Sequence, residues 1–399
     1  MTENNIYPSP FAIHWDIDPD IVFLNHGSFG ATPVAILQKQ AEYRKQMEFE
    51  PVRFMVTELE GLLWKSKETL GEFIKAKPED LVFIHNATTG VNIVLNSLDP
   101  QEGDEWLITS HAYGACKNAI KFLTEKKKIN LIIADIPFPL QSPDEIPEAI
   151  LSKVTSKTKL AMIDHITSCT GLIFPIEQIV DKLQNRGIDV LIDGAHAPGM
   201  VELNLEKLGA AYYTGNCHKW ICAPKGSAFL YVRKDRQHLI HPIIISHHFD
   251  RPGPGEKMWS SGFLWSGTND YTAYLCVKDA IEYMGTLFPG AWQELRERNR
   301  ALCLKARKKI SETLGTKLPS PESMIGSLSS SLIGEAGLPE YTFNYIHPLQ
   351  KKLMQNYKIE VPVISRNKIL MIRIAVQCYN SLEQYDYLAM ALAEISIKG

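Results

Sequence analysis

The stretch Tyr212-Tyr213-Thr214-Gly215-Asn216-Cys217-His218-Lys219-Trp220 opens on apolar residues and leads into Gly226-Ser227-Ala228-Phe229-Leu230-Tyr231-Val232, a run of β composition. One lysine thereby stands in a tight loop between two expected strands. An ammonium held in a fold interior is costly, so its pKa falls and the amine becomes a usable nucleophile, suited to a Schiff base. A lysine in a turn is ordinarily a solvated surface residue, and Lys219 alone does not separate the two readings.

The upstream residues separate them. Ile188-Asp189-Val190-Leu191-Ile192-Asp193-Gly194-Ala195-His196 reads as a buried strand that ends in an acid. In open α/β sheets ligands bind beyond the carboxyl ends of the strands, and Asp193 stands at such an end. A reactive lysine and a nearby aspartate form the pair that pyridoxal phosphate needs: an amine for the imine and a carboxylate that keeps the pyridine nitrogen protonated.

Asp193-Gly194-Ala195-His196 followed by His218-Lys219 resembles the class V aminotransferase group of fold-type I pyridoxal phosphate enzymes. The resemblance is closest to the isopenicillin N epimerase-like branch, which is related to cysteine desulfurases and ergothioneine-pathway C–S lyases. Leu24-Asn25-His26-Gly27-Ser28-Phe29-Gly30, Ala87-Thr88-Thr89-Gly90-Val91-Asn92 and Thr214-Gly215-Asn216-Cys217-His218-Lys219-Trp220 are similar to motifs of that branch and keep its order. The likeness runs from about Phe23 to the last helix. It implies an α/β fold: a large domain with a mixed, mostly parallel sheet covered by helices, and a smaller α+β C-terminal domain. The expected division is an arm over 1–20, a large cofactor-binding domain over 21–285 and a small domain over 286–399.

Composition agrees with this class. The 399 residues suffice for two or more domains, and 45% hydrophobic with 22% charged residues is ordinary for a globular protein. A formal net charge of −3 gives no footprint for nucleic acid or an anionic membrane. Residues 1–10 carry neither a basic region nor an apolar core, so no signal peptide is expected, and no apolar run reaches the roughly 18 residues of a membrane span. Seven scattered cysteines without a C-x-x-C point to a reducing, cytoplasmic compartment and away from a disulfide framework or zinc knuckle.

Along the chain, residues 1–20 with Pro8, Pro10 and Pro19 read as an arm, packed on another domain or subunit or else disordered. Asn25 to Gly30 reads as a glycine-containing loop. Val34 to Ile74 has helical spacing broken near Pro51, and then the rhythm becomes strand, loop, helix. Strands are expected at 81–84, 106–109, 131–134 and 160–163, and in the small domain at 327–333, 360–364 and 370–375. Residues 236–248 read as strand and loop. Their four histidines, His238, His241, His247 and His248, lack an acidic or cysteine partner at metal spacing, so no metal site is expected. Gly253-Pro254-Gly255 marks a flexible crossing. Ser381 and Gln384 form a capping-box pattern before the last helix.

The resemblance assigns roles. Lys219 holds the cofactor and, once freed, serves as the base at Cα. Asp193 supports the ring nitrogen, and His196 lies near the phenolic oxygen. Ser168, where relatives carry asparagine, falls near the same oxygen. Tyr113 stacks on the ring, with His111 as the alternative if the register shifts. Thr88 and Thr89, at the start of a helix whose free N–H groups favour an anion, hold the phosphate with His218; the other reading of Thr88 is a plain N-cap. Thr268, within Trp265-Ser266-Gly267-Thr268-Asn269-Asp270, reaches the phosphate of the other subunit, which implies a homodimer with shared active sites. Arg373, a single cation in an apolar strand, binds the substrate α-carboxylate; an internal ion pair is the other reading. Asn25 and Arg53 are further substrate contacts.

The fate of the carbanion sets the reaction. A cysteine desulfurase of this family uses a mobile cysteine before its carboxylate-binding arginine, and Tyr357 to Arg373 contains none; Cys378 comes later and suits packing. β-Elimination from a cysteine conjugate or sulfoxide needs only a leaving sulfur and is the favoured reading. Epimerisation needs a donor opposite Lys219, for which Tyr113 is the candidate, and transamination needs Lys219 to return the proton to the cofactor. A scaffold without turnover would lack Lys219, Asp193 or Arg373, and all three are present.

Overall fold

The computed structural model describes residues 7–250, 258–335 and 346–397. Seven strands form the main sheet: β1 (Leu81–Ile84), β2 (Glu105–Thr109), β3 (Asn130–Ala134), β4 (Thr158–Asp164), β5 (Asp189–Asp193), β6 (Tyr212–Asn216) and β7 (Ala228–Val232). Their order is β1-β7-β6-β5-β4-β2-β3. The pairings from β6 to β3 are all parallel, and β7 runs antiparallel to both neighbours. Every residue of β2, β6 and β7 is buried. Strands buried at every position belong to a sheet covered on both faces, so the fold is the α/β architecture expected.

Three parallel strands end side by side. The register pairs Asp164 with Asp193, and Asp193 with Thr214. Neighbouring strands are about 4.8 Å apart, so the two carboxylates and the β6 terminus are gathered at one edge.

A second sheet contains β8 (Leu328–Glu335), β9 (Val363–Arg366) and β10 (Ile369–Ala375), antiparallel in the order β9-β10-β8. Helices Ala291–Leu314 and Leu382–Ile397 pack on one another beside it. Val22–Phe23 pairs in parallel with Ile359–Glu360, tying the start of the chain to this region. The N-terminal segment is packed: the Ser9 N–H donates to the Tyr379 carbonyl at 3.0 Å, the Trp15 indole donates to the Ala31 carbonyl at 3.1 Å, and Trp15 is buried.

Several local expectations change. Asn25 to Gly30 is not an open loop but a helical turn, His26–Phe29. Gly30 ends it at φ 72°, where an added Cβ would lie 2.1 Å from the His218 carbonyl oxygen, so only glycine permits this approach. Near Pro51 the helix Val34–Phe49 gives way to a new turn, Pro51–Arg53, capped by the Glu50 carboxylate and followed by a π-helical turn, Phe54–Glu58. In place of a strand after residue 236 there is a 3₁₀ helix, Lys234–Leu239. Side-chain bonds fix it, since Arg236 reaches Asp189 at 2.7 Å and Gln237 reaches Asp80 at 2.7 Å. Among the described residues the nearby histidines join no metal-sized cluster, and no helix is long and apolar enough to cross a membrane. Gly253-Pro254-Gly255 lies outside the described residues.

Candidate active site

The ends of β4, β5 and β6 open into a cavity of about 340 Å³, within the usual range for small-molecule sites. The Lys219 side chain enters it, with Nζ 3.0 Å from His196 Nε2. The Trp220 indole N–H donates to His196 Nδ1 at 3.3 Å. An indole only donates, so the imidazole proton sits on Nε2 and points at the lysine. Lys219 can accept it because burial, and then the Arg373 charge, lower its pKa to about 7. Burial also keeps His196 neutral.

Asp193 forms another part of the wall. Its Oδ1 accepts the Ala195 N–H at 3.1 Å, and its Oδ2 accepts the Cys116 thiol at 3.2 Å. Burial raises its pKa, while the Cys116 and Ala195 bonds and the Lys219 charge act the other way. Asp164, beside it on β4, is raised much further by burial and by Asp193 itself. Two buried carboxylates on adjacent strands do not both ionise readily, and the larger upward shift falls on Asp164.

Thr88 lines the cavity at the start of helix Ala87–Ser97. The N-cap is Asn86 and not Thr88: its Oδ1 accepts the Thr89 N–H at 2.8 Å and the Thr89 hydroxyl at 3.1 Å. The Thr89 side chain is thereby spent on the cap and does not line the cavity. Asn216, at the end of β6, accepts the Ala87 N–H at 2.8 Å. His218 donates from Nδ1 to the Ser227 carbonyl at 2.8 Å, and burial lowers its pKa to about 4. Asn86, Thr88, Asn216 and His218 all line the cavity.

Arg373 does not itself line the cavity; its guanidinium stands behind the wall residues Ser28 and Ser168 and bonds to neutral groups. Nη1 donates to the Ser168 carbonyl at 2.7 Å and meets its hydroxyl at 3.3 Å; Nη2 donates to Ser28 Oγ at 2.8 Å and Asn25 Oδ1 at 3.3 Å. Asn25 is fixed in turn by donating to Glu360 Oε1 at 2.9 Å. Arg373 is 5% exposed. Ser28 and Ser168 line the cavity, whereas Asn25 stands behind them as a support for Arg373.

Tyr113 lines the cavity and precedes helix Gly114–Lys127. His111 is absent from the wall: it is buried, with Nδ1 bonded to Thr170 Oγ1 at 2.9 Å. Two expected residues are not brought in by their own chain. Arg53 is exposed and pairs with Glu58 at 3.0 Å, and Thr268 is exposed in a loop before helix Thr272–Thr286. Sequence reasoning also passed over Ser28, His85, Asn86, Cys116, Asp164 and Asn216. Asp164 was open to the argument used for Asp193, an acid closing an apolar strand. Ser28 and Asn216 lie inside motifs already singled out. Cys116, His85 and Asn86 carried no comparable signal.

A buried amine, a buried carboxylate and a helix N-terminus around one cavity, at the carboxyl edge of a mostly parallel sheet, define a fold-type I pyridoxal phosphate enzyme. The model of the aminotransferase class-V family matches residues 22–330, and the chain belongs to that family. It is 30% identical to the isopenicillin N epimerase of Streptomyces clavuligerus, over 94% of this chain and 95% of the relative. It is also 30% identical to a probable chloroplastic L-cysteine desulfhydrase of Arabidopsis thaliana, over 96% and 84%. Hercynylcysteine sulfoxide lyase of Schizosaccharomyces pombe is 26% identical over 82% and 84%. Among solved structures, a cystine C–S lyase in complex with cysteine persulfide superposes with a TM-score of 0.78 at 20% identity, covering 94% of this chain and 98% of that one. A cysteine desulfurase from Thermococcus onnurineus superposes with a TM-score of 0.79 at 18% identity, covering 98% and 99%. The cofactor is pyridoxal 5'-phosphate. The residues present fit it: the wall holds a helix start with polar side chains, Lys219, Asp193 and the aromatic ring of Tyr113.

Proposed function

We propose that this enzyme is a C–S lyase that cleaves the Cβ–S bond of an L-cysteine conjugate or sulfoxide by β-elimination. The observation that carries the reading is a cavity whose wall holds a buried amine, Lys219, with its pKa lowered to about 7, and no cysteine among its described residues, although the chain has seven. Sulfur that leaves the substrate therefore finds no thiol among this chain's described wall residues and departs as product.

In this reading Thr88, Asn86, Asn216 and His218 hold the phosphate, with Thr89 acting through the cap. Tyr113 would cover the ring, Asp193 would meet the ring nitrogen, and His196 and Ser168 would serve the phenolic oxygen. When bound, the cofactor supplies an electron sink for the carbanion at Cα. Arg373 takes the substrate carboxylate in a bidentate fork. Lys219 Nζ removes the Cα proton as general base. The Cβ–S bond then breaks, the sulfur leaves as a thiol or sulfenic acid, and the remaining fragment takes up water to give pyruvate and ammonia.

The reading includes a homodimer with Thr268 serving the partner's phosphate, which the exposure of Thr268 supports. A cytoplasmic location is supported by seven free cysteines. The division into an arm over 1–20, a large domain over 21–285 and a small domain over 286–399 is supported by the two separate sheets.

Proton NMR of the cofactor-loaded enzyme in D₂O, with a panel of L-cysteine S-conjugates and unmodified L-amino acids, tests the reaction. Pyruvate with a released thiol is the expected result. Deuterium at Cα with an intact skeleton and accumulating D-isomer would make the enzyme an epimerase instead, with Tyr113 as the second proton carrier.

A further inference from the structure

The turn His26–Phe29 bonds both to the Lys219 backbone and to the Arg373 guanidinium, and its first residue has no role so far. His26 is completely buried. Its Nδ1 lies 2.9 Å from the Tyr379 hydroxyl and 3.3 Å from the Ala31 N–H, and its Nε2 lies 3.0 Å from the Lys219 carbonyl oxygen. A backbone N–H only donates and a carbonyl only accepts. Nδ1 is therefore the bare nitrogen, and Nε2–H donates to the backbone of the catalytic lysine. The ring also packs on Trp220, centroid to centroid 5.0 Å. Burial lowers the His26 pKa to about 3, so this neutral tautomer persists at neutral pH.

The same turn grips the carboxylate anchor. Ser28 accepts from Arg373 Nη2 at 2.8 Å. Gly30, at its end, lies against the His218 and Lys219 backbones, where an added Cβ would come within 3.0 Å of Lys219 Cα. Tyr379, on the far side of His26, belongs to the segment that follows the Arg373 strand, β10. Two routes thus run from Arg373 to Lys219, one through Ser28 and one through Tyr379, and both pass through this turn.

We propose that His26 is a positioning residue that fixes the Lys219 backbone, and through it Nζ, in register with the Arg373 guanidinium. The inference rests on the roles given to Lys219 and Arg373 above and not on the fate of the sulfur. Its value is geometric, since reacting groups displaced by about 1 Å can lose a hundredfold in rate.

Two aminooxy probes read this register in the cofactor-loaded enzyme without knowledge of the substrate. Aminooxyacetate carries a carboxylate for Arg373, and methoxyamine does not. Each displaces the lysine from the cofactor, followed as a change in visible absorbance. In the unaltered enzyme aminooxyacetate should react faster. His26→Ala should cut that advantage about tenfold while leaving the methoxyamine rate within about twofold. His26→Gln, which can still donate to the Lys219 carbonyl, should restore most of it. If His26→Ala keeps the full advantage, or slows both probes equally, or if His26→Gln rescues nothing, the inference is overturned. Should His26→Ala fail to hold cofactor, Tyr379→Phe removes one donor alone; it should reduce the advantage, and an unchanged ratio would sink the idea. Arg373→Ala is the separate control: if it leaves the ratio untouched, the carboxylate assignment itself is wrong, whatever His26 does.

Discussion

Burial lowers the Lys219 ammonium to a pKa of about 7 from an ordinary 10.5. At a pH below the folded value both folded and unfolded chains are protonated, and the cost of an interior charge is fully present. Between the two values the unfolded chain keeps a proton that the folded chain has shed, so raising the pH removes the cost. The cofactor-free protein should therefore gain stability from this group between about pH 7 and 10.5. Lys219→Met should stabilise the cofactor-free form at pH 6 by on the order of 4 kcal/mol, and by almost nothing near pH 10.5. Denaturant unfolding of both proteins at the two pH values checks it, and comparing the two pH values cancels any packing change. An equal effect at both would show that Lys219 is not held as a neutral amine. Asp193 and Arg373 were legible because each is a charged residue at the end of, or within, an apolar run, and Lys219 because it stands in a tight loop between two strands. Their supports were not. Cys116 meets Asp193 across 77 positions and His26 meets Tyr379 across 353, and no local pattern encodes a contact that the fold alone creates.

At the scale of the element, helix Ala87–Ser97 joins stability to anion binding. Its sequence offers Asn86, Thr88 and Thr89, all competent caps, and propensity does not choose among them. The backbone does: Asn86 is extended, at φ −164° and ψ 166°, which lets its side chain turn back onto the Thr89 N–H. Thr88 is thereby released to the cavity. Asn86→Ala should destabilise the cofactor-free protein by about 1 kcal/mol. Asn86→Asp should cost nothing there, because aspartate caps as well and suits the helix dipole. The same charge would face the cofactor phosphate, so Asn86→Asp should weaken cofactor affinity about tenfold or more. Thermal unfolding without cofactor, paired with a pyridoxal phosphate titration followed by Trp fluorescence, separates the two effects. Unaltered affinity in Asn86→Asp would place the phosphate elsewhere. The last helix teaches the same lesson about caps. Gln384 does reach back to the Ser381 N–H at 3.3 Å, as the capping-box pattern suggests, but the Ser381 hydroxyl donates to the Tyr7 carbonyl at 2.6 Å. A pattern of residue types names possible bonds, and tertiary packing chooses among them.

Over the whole molecule, the alternation of apolar strands with helical spacing made the parallel sheet readable, whereas the return of β7 to pair with β1 brings together segments nearly 150 residues apart and has no local signature. That folding buries histidines in number, and it sets how the protein meets acid. Burial lowers His26, His111 and His165 to about 3 and His218 to about 4, and holds His196 well below its ordinary 6.5. As the pH falls through 6.5 the unfolded chain takes up these protons and the folded chain does not, so stability is lost with acid until the folded values are reached. Asp164 and Asp193 act in the opposite direction, because their raised values let the folded chain bind protons first. The histidines are more numerous, and the cofactor-free protein should lose stability steeply between about pH 6 and 4. His165 isolates one proton of this effect. It lies outside the cavity wall, with Nδ1 2.8 Å from the Tyr213 hydroxyl, a partner that a glutamine amide can also meet. His165→Gln should reduce the slope of unfolding free energy against pH by about 1.4 kcal/mol per pH unit in that window, leaving the slope above pH 7.5 unchanged. Urea unfolding at a series of pH values measures both slopes. If the slope between pH 6 and 4 stays as in the unaltered protein, His165 takes up its proton in the folded state, and the buried-histidine account of acid sensitivity fails at the residue where it is easiest to test.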